Sequence, residues 1–447
     1  DLLKYIKFDR PMSAPRRVAV IGGGIAGTLA SLALRNRGIN PTLIDLGKNV
    51  GGRLRGARRS KLNVDAGAPF LRAPKLAVMG LLEGEGLVRK WEGRFGLLGS
   101  RGGGFLPSSV VGGLSPNAMA SNSEDSAAPA VQPLEGGDSG DFCGFVSNHE
   151  SPTFVGYPNN AALCPRICEL ASIETVSDAR FLQAEMVAGG GWRLDVDVDD
   201  GGNSTNSNLL QNVVFDALIL TTHDPVLAAN TIECIARNEA EADTGDNSSS
   251  NSDIEERLHQ LAHGLRSLQQ TPRHAVFTWS GRFPSLNMPF DAASVPGSHL
   301  VQFLARESSK PGYVRDNSSD GNDNTDVWSA ISTTALATDL LQRHGSNTQR
   351  ACDEACNLIS REVVPLLTAA STTTNAIPSP EEASAVCWRS AFPSRTLGLK
   401  EDSIILHPWR LAIGGDFIRA LDTHSSPFEA AAMSGLEAGE RIAALFE

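Results

Sequence analysis

The sequence predicts an α/β fold in which a doubly wound unit is interleaved with a mainly antiparallel β-sheet domain. A strand–glycine–helix pattern opens the chain, and a second strand–helix pair closes it. Several apolar, β-branched stretches that are typical of antiparallel strands lie between them. Pieces of one unit at both ends, with a sheet between, describe one interleaved architecture and not two successive domains.

Composition narrows the range of functions. The chain has 447 residues, 41% hydrophobic and 20% charged, which suits a globular protein with a substantial core. The formal net charge of −12 argues against general binding to nucleic acid, which requires basic patches. No apolar run approaches the roughly 20 residues that span a bilayer, so no membrane span is expected.

The cysteines indicate a reducing compartment. Seven are scattered along a chain that does not need disulfide bonds, so an intracellular location is expected, cytoplasmic or organellar, with a plastid among the options. The pairs Cys164/Cys168 and Cys352/Cys356 lack the spacing of zinc ligands, and no metal site is predicted. The basic segment before Pro15 is either the remnant of a targeting peptide or simply a chain end.

The elements follow from hydrophobic periodicity and turn residues. Four Ser/Asn/Asp/Gly-rich stretches are predicted to be surface insertions, because they cannot bury enough apolar surface to offset the entropy of ordering: roughly 114–141, 197–208, 238–253 and 315–326. Predicted strands cover 17–21, 41–45, 213–222, 270–279, 299–305, 326–332 and 410–414, with helices over 25–37, from Asp224-Pro225, and over 426–446. The doubly wound unit would comprise 16–72, 154–230 and 396–447, and the sheet domain 73–153 and 231–395.

The strongest chemical signal is the glycine run between the first strand and the first helix. It reads Gly22-Gly23-Gly24-Ile25-Ala26-Gly27, a G-x-G-x-x-G pattern in the strand-to-helix setting that it requires. Gly22 makes the tight turn, Gly24 lets the backbone approach a pyrophosphate, and Gly27 lets helix and strand pack closely. Asp45, which ends the second strand, is placed to accept ribose hydroxyls. The pattern predicts a dinucleotide at the N-terminus of the helix.

The residues after the second strand favour FAD over NAD. Gly51, Gly52 and Arg53 bring the chain back toward the pyrophosphate, where a guanidinium can bind phosphate in a forked geometry. The longer, stretched FAD gains most from such a second glycine turn. A basic surface loop is the alternative interpretation.

The C-terminal end carries the second half of the predicted FAD site. A strand ends at Gly415-Asp416, and a loop leads to a helix capped by Ser426 with proline at its first position. Asp416 is predicted to accept a ribityl or ribose hydroxyl. The first turn, Phe428-Glu429-Ala430, is predicted to aim N–H groups at the flavin pyrimidine edge, where negative charge develops on reduction.

With these motifs in place, the sequence resembles the renalase-like branch of the monoamine-oxidase superfamily of flavoproteins. The matching residues run in family order over nearly the whole chain: 21–27, 51–54, 64–68, 154–158, 305–312, 387–390, 415–416 and 426–435. The resemblance implies a Rossmann-like FAD-binding domain in a p-hydroxybenzoate-hydroxylase-like fold, with non-covalent FAD beneath a sheet-roofed substrate pocket. Renalase-like enzymes oxidise aberrant dihydronicotinamide isomers and pass the electrons to O2, whereas the wider superfamily oxidises amines.

The resemblance also suggests site residues. It implies that Gly67 and Ala68 line the cofactor, and that Trp388 and Phe392 are the candidate aromatic faces for a substrate, since Ser390 replaces a usual tyrosine. Lys310, at a strand end, could reach the pocket, pair with a carboxylate or remain in solvent. Arg389 could hold an anionic or carbonyl group of the substrate, or form an internal ion pair.

Three functions remain open at this level. The first is a flavin oxidase acting on a small-molecule donor, such as a reduced nicotinamide nucleotide, with O2 as acceptor. The second is an amine oxidase or desaturase-type oxidoreductase of the same superfamily. The third is a non-catalytic flavoprotein that serves as an assembly or regulatory factor. Lys310, Trp388 and Arg389 are the predicted catalytic residues.

Overall fold

The computed structural model describes residues 16–56, 62–99, 104–111, 141–198, 210, 213–242, 248–270, 274–314, 325–345, 347–372, 376–393, 395–419, 424 and 426–447. The predicted mixed α/β fold is confirmed, with a sheet that joins both ends of the chain and a larger, mainly antiparallel sheet. Most of the polar stretches at 114–141, 197–208 and 315–326 lies outside the described residues.

The strands, in chain order, are β1 (Arg17–Ile21), β2 (Asn40–Ile44), β3 (Val88–Lys90), β4 (Phe95–Leu98), β5 (Phe105–Pro107), β6 (Phe154–Gly156), β7 (Glu174–Val176), β8 (Ala179–Met186), β9 (Trp192–Val198), β10 (Val214–Phe215), β11 (Ala217–Leu220), β12 (His274–Pro284), β13 (Ala292–Ser294), β14 (Val301–Arg306), β15 (Thr325–Ser332), β16 (Glu382–Phe392), β17 (Ser403–Leu406) and β18 (Leu411–Gly414).

The helices are α1 (Ile25–Asn36), α2 (Val78–Gly84), α3 (Ser108–Val111), α4 (Leu163–Leu170), α5 (Pro225–Ala242), α6 (Ser248–Gln270), α7 (Thr334–His344), α8 (Thr348–Ala370) and α9 (Pro427–Ala444). Within the described ranges, none of them is both long enough and apolar enough to cross a membrane.

The first sheet brings the two ends of the chain together. Its described strands have the order β17-β18-β11-β1-β2-β7, and β18, β11, β1, β2 and β7 pair in parallel. Helices α1 and α9 cross closely on one face, because a Cβ on Gly435 would lie 2.0 Å from the Ala26 carbonyl oxygen. Because β1, β11 and β18 run parallel, the carboxyl ends of β1 and β18 open onto a common edge, where α/β proteins bind ligands.

The second sheet covers this unit. Its described strands have the order β16-β12-β15-β14-β13-β4-β5, with antiparallel pairing except between β13 and β4. One face packs against α7 and α8 through residues such as Phe277 and Trp328. The opposite face, which carries Val276 and Phe303, packs against aromatic residues from the first half of the chain. This alternation is the period of two expected of a sheet buried on both faces.

Three predictions about local structure were wrong. The stretch 238–253 is not an irregular insertion: its described residues continue α5 and begin α6, because Ile235 and Leu258 belong to one apolar cluster between these helices. The strand predicted over 270–279 begins only at His274, because Gln270 is still part of α6. The strand predicted over 213–222 is divided into β10 and β11 at Asp216.

Candidate functional site

The glycine run forms the turn that the sequence predicts. Gly22 has φ +106°, and a Cβ there would lie 2.8 Å from the Thr221 carbonyl oxygen. A Cβ on Gly27 would lie 1.9 Å from the Gly22 carbonyl oxygen, so this glycine lets α1 start directly against the turn. Gly24 differs, because a Cβ there would meet only the Gly52 Cα, at 3.9 Å. The space beside Gly24 is therefore open.

The N-terminus of α1 faces this open space. Its N-cap is Gly24, which has no side chain to accept a first-turn N–H, and the first turn contains no acidic residue. Free amide donors and the positive end of the helix dipole make the position suitable for a phosphate. Ile25 and Ala26, the first residues of the helix, have buried side chains, so their backbone would be the part available to a ligand.

Asp45 carries an unused acceptor beside this turn. Its Oδ1 accepts the Gly23 N–H at 3.2 Å, whereas Oδ2 is buried without a hydrogen-bond partner. Burial raises the pKa of this carboxyl, although the Gly23 N–H, the Arg55 charge and the nearby N–H groups of Gly47 and Leu46 oppose the shift. A buried acceptor without a donor is costly, and a ribose hydroxyl would supply the missing donor. These residues fit the adenosine half of an FAD.

The second glycine turn packs on the first. The Gly51 N–H donates to the Gly23 carbonyl at 2.6 Å, and a Cβ on Gly52 would lie 2.9 Å from the Gly24 Cα. Arg53 Nη1 lies 2.6 Å from Asp416 Oδ2 and also donates to the Ala391 carbonyl. Burial disfavours the charged guanidinium, but the Asp416 carboxylate more than compensates and raises the pKa of Arg53.

This ion pair joins the two halves of the predicted cofactor site. It was not foreseen in the sequence, where Arg53 was expected to bind phosphate and Asp416 a hydroxyl. Asp416 is buried, and the preceding Gly415, with φ +148°, donates its N–H to Ser434 Oγ at 2.7 Å. The Arg53 charge is thus neutralised within the protein, and its phosphate contact stays a prediction.

The start of α9 corrects a second expectation. The Glu429 N–H donates to Ser426 Oγ at 3.1 Å, and the Ala430 N–H donates to the Ser426 carbonyl. The buried Glu429 carboxylate accepts the Lys75 N–H at 2.6 Å. Two of the three donors that were expected to face the flavin are therefore used inside the protein. Of the three, only the Phe428 N–H forms no such bond within the described part of the chain.

Segment 64–68 lies on the second glycine turn. The Ala68 N–H donates to the Arg53 carbonyl at 3.0 Å, and the buried Asn160 donates its Nδ2–H to the Ala68 carbonyl at 2.8 Å. A Cβ on Gly67 would lie 1.8 Å from the Arg53 carbonyl oxygen, so only glycine allows this contact. The structure thus places Gly67 and Ala68 beside the other predicted cofactor residues.

Lys310 is buried and paired with two carboxylates. Its Nζ lies 3.0 Å from Asp65 Oδ2 and 2.9 Å from Glu307 Oε1. Although burial opposes the charge, these carboxylates raise the pKa of Lys310. Burial also raises the pKa of Glu307, against the effect of the ammonium. Of the options weighed for Lys310, pairing with a carboxylate is the one observed, and a catalytic role stays a prediction.

Trp388 and Arg389 point to opposite faces of β16. Trp388 Nε1 donates to the Ala66 carbonyl at 2.7 Å, and its ring packs at the edge of the aromatic residues. Arg389 is exposed and donates to Thr348 Oγ1 at 2.8 Å. The two side chains therefore cannot act together on one substrate from this strand. Arg389 forms no ion pair with any other residue that the structure describes, and its placement does not support the predicted catalytic role.

An aromatic cluster packs against one face of the second sheet. Its rings have centroid separations of 4.9 to 6.2 Å, with Trp388 packed at the edge, and comprise Phe70, Trp91, Phe95, Phe142, Phe145, Phe303 and Phe392. Sequence reasoning found only Trp388 and Phe392, because the other members come from distant segments.

Arg72 is also a site feature that sequence reasoning missed. It is buried in the aromatic cluster and donates to the Gly144 and Phe145 carbonyls and to Thr153 Oγ1. Burial lowers the pKa of Arg72 to about 10. A lone arginine in the apolar run Ala-Pro-Phe-Leu-Arg was the available signal.

A cleft of about 1390 Å³ is lined by Leu46 and Gly47, which follow β2, by Cys352 of α8, and by Cys387 and Trp388 of β16. The cleft exceeds the roughly 300–1,000 Å³ of ordinary small-molecule pockets. It has room for more than the adenosine end of one dinucleotide.

Comparison with known proteins supports the same reading of the fold. Residues 20–83 match the family model of the NAD(P)-binding Rossmann-like domain. Over 75 residues the chain is 37% identical to protoporphyrinogen oxidase 2, chloroplastic/mitochondrial, of Arabidopsis thaliana. That match covers 17% of this chain and only 15% of the relative, so it concerns a small part of either protein.

Solved structures match over nearly the whole chain. A protein designated as a protoporphyrinogen oxidase from Exiguobacterium sp. 255-15 has TM-score 0.57 at 14% identity, covering 97% of this chain and 100% of that one. A double mutant of putrescine oxidase has TM-score 0.53 at 13% identity, covering 96% and 99%. The chain therefore shares the overall fold of these two oxidases, and this fold includes a Rossmann-like domain.

Proposed function

We propose that this chain is an FAD-dependent oxidoreductase that takes a hydride from a reduced nicotinamide-type or other small donor and passes the electrons to O2. The observation that carries the proposal is the unpartnered Asp45 Oδ2 beside the open space at Gly24. A buried acceptor, uncapped helix amides and two glycine turns are all accounted for by one bound dinucleotide. The resemblance to renalase-like proteins supports the choice of donor.

The chain's own residues would bind and orient the reactants. Asp45 would accept a ribose hydroxyl, and the first-turn amides of α1 would receive the pyrophosphate. A bound FAD would supply the hydride acceptor and the route by which the donor's electrons reach oxygen. Trp388 would stack on a flat donor, and the aromatic cluster would exclude water from it. Because hydride loss from a dihydronicotinamide needs no proton removal, no side chain has to act as a base.

An amine donor is the second candidate. Trp388 and Phe392 of β16 both pack against the aromatic cluster, although the pairing with β12 shifts register between them, and two aromatic walls around a substrate would be placed in this way. The centroids of the Phe392 and Phe142 rings are 6.0 Å apart, within the aromatic cluster. An amine would be oxidised between these walls in the same place as a dihydronicotinamide.

Anaerobic reduction of the purified, FAD-loaded protein separates these functions. We expect reduced nicotinamide isomers to bleach the flavin absorbance, and air to restore it with formation of hydrogen peroxide. Bleaching by amines alone would replace the first candidate with the second. A coloured protein that no donor in the panel bleaches would instead favour the non-catalytic assembly or regulatory factor.

We also expect the flavin to be bound non-covalently. Cys387 is the cysteine nearest to Trp388 in sequence, but its side chain packs on the α8 face of the sheet, opposite to Trp388. Burial raises the pKa of the Cys387 thiol to about 11, so the reactive thiolate is scarce at neutral pH. Acid precipitation should leave the yellow colour in the supernatant. Colour in the pellet that disappears in Cys387→Ala would contradict this prediction.

A further inference from the structure

We propose that Thr278 and Trp388 are positioning residues, which hold segment 64–68 from the second sheet and thereby fix the turn that receives the cofactor. The proposal rests on the proposed function, because it gives these residues a role toward bound FAD. Neither residue has to touch the cofactor for this role, since both act through the Ala66 carbonyl. Thr278 was not among the residues singled out in the sequence.

Two side-chain donors converge on one carbonyl oxygen. Thr278 Oγ1 donates to the Ala66 oxygen at 2.6 Å, and Trp388 Nε1 donates to the same oxygen at 2.7 Å. Thr278 lies on β12 and Trp388 on β16, the neighbouring strand, and Ala66 is buried. A carbonyl has two lone pairs, so both acceptor positions are filled by the second sheet. Each bond fixes the direction of the Ala66 peptide.

The contact continues from Ala66 to the glycine run. Ala68 donates its N–H to the Arg53 carbonyl, and a Cβ on Gly67 would collide with that same carbonyl. The adjacent Gly52 lies against Gly24, with a distance of only 2.9 Å from a Cβ on Gly52 to the Gly24 Cα. These are backbone-to-backbone contacts, so a displacement of segment 64–68 would be passed to the turn with little loss.

Segment 64–68 is held by side chains and not by a ladder of backbone bonds; Asn160 bonds to Asp65 and Ala68, whereas Ala66 is held by Thr278 and Trp388. Its residues belong to no helix or strand, and no sheet ladder holds them in register. The loop that follows β14 adds two bonds to Asp65: Lys310 Nζ donates to Asp65 Oδ2 at 3.0 Å, and the Asp65 N–H donates to Glu307 Oε2 at 3.3 Å. The second sheet and this loop therefore hold segment 64–68 at two neighbouring residues, Asp65 and Ala66. This arrangement assigns Trp388 a function that does not require it to contact the donor.

The test removes one donor without changing the shape of the side chain. Thr278→Val should weaken FAD binding about five- to tenfold and alter the visible flavin spectrum, since one of two bonds to Ala66 is lost. Thr278→Ser keeps the hydroxyl and should bind FAD within about twofold of the parental protein. Ser332→Ala is the matched control, because Ser332 is buried in the same sheet and bonds to Phe277 N and the Thr333 carbonyl.

The control distinguishes positioning from general stability. Ser332→Ala is expected to lower Tm as Thr278→Val does, yet to leave FAD affinity and spectrum unchanged. Equal FAD affinity in Thr278→Val and Ser332→Ala would overturn the proposal. If Thr278→Val cannot be purified, Trp388→Phe removes the other donor and is judged by the same measurements. A parental protein that binds no FAD would overturn the proposed function as well, so the two failures are distinct.

Discussion

Replacing Gly24 with valine is expected to give a folded protein that holds no FAD. The backbone of Gly24 is extended, with φ −73° and ψ −176°, so valine can adopt it without strain. A valine side chain would occupy the open space beside the N-terminus of α1, where the pyrophosphate is predicted. The stability cost should not exceed about 1 kcal/mol, because only a favourable N-cap residue is lost. Absorbance of the purified protein and its Tm check both parts of the prediction.

Two other glycines provide the controls. A Cβ on Gly80 would meet nothing within 4 Å, and this glycine lies on α2, away from the glycine run, so Gly80→Val should fold and bind FAD. Gly27→Val should fail to fold correctly, since its side chain would overlap the Gly22 carbonyl. Full FAD occupancy and an unchanged flavin spectrum in Gly24→Val would show that the cofactor does not bind at this turn.

Replacing Lys310 with methionine should destabilise the protein by about 3–5 kcal/mol, because Asp65 and Glu307 would be left buried without a counter-charge. Urea unfolding of the parental and variant proteins measures this difference. Lys90→Met is the matched control: Lys90 is exposed and lies 3.8 Å from Glu83, so its loss should cost no more than about 0.5 kcal/mol. Equal stability of Lys310→Met and Lys90→Met would show that the buried ammonium is dispensable.

The loss in Lys310→Met should depend on pH. Because the pKa of Glu307 is raised, the folded protein holds that proton more tightly than the unfolded chain does. The resulting stability is present at acidic pH and falls as pH rises through the raised pKa. In Lys310→Met, which lacks the ammonium, the pKa of Glu307 should rise further. The stability lost in this variant should therefore be smaller near about pH 5 than near about pH 8. Lys310 itself contributes at any pH below its ordinary value of 10.5.

The glycine turns of the candidate site were largely predictable because their determinants are local. Gly22 and Gly27 are required by backbone contacts within the same strand–turn–helix unit, and such contacts leave a fixed spacing in the sequence. The Ser426-x-x-Glu429 spacing is that of a capping box, which indicates that the Glu429 amide is used within the helix. The hydrogen bond from the Glu429 N–H to Ser426 Oγ is therefore also predictable from a local pattern of the sequence.

The contacts between distant segments of the candidate site could not be predicted in the same way. Arg53 and Asp416 are 363 positions apart, and nothing near either residue specifies the other. The acceptor for Thr278 and Trp388 is a backbone carbonyl, and a carbonyl has no signature in a sequence. Strand β16 was missed because its small residues, such as Ala383 and Ala385, weaken the hydrophobic alternation. Such contacts are decided by how distant segments pack.

The close crossing of α1 and α9 has a consequence for the order of events during synthesis. Gly435 and Gly439 bring the last helix against Ala26 and Ala30 near the start of the chain. A ribosome therefore releases the glycine run some 400 residues before the helix that packs beside it, and long-range closure of this kind is slow. In the interval, the part of α1 that packs on α9 has no permanent cover, although the sheet and α4 already cover other parts of the helix. The nascent chain should accordingly become able to retain FAD only after residues 427–444 have left the exit tunnel.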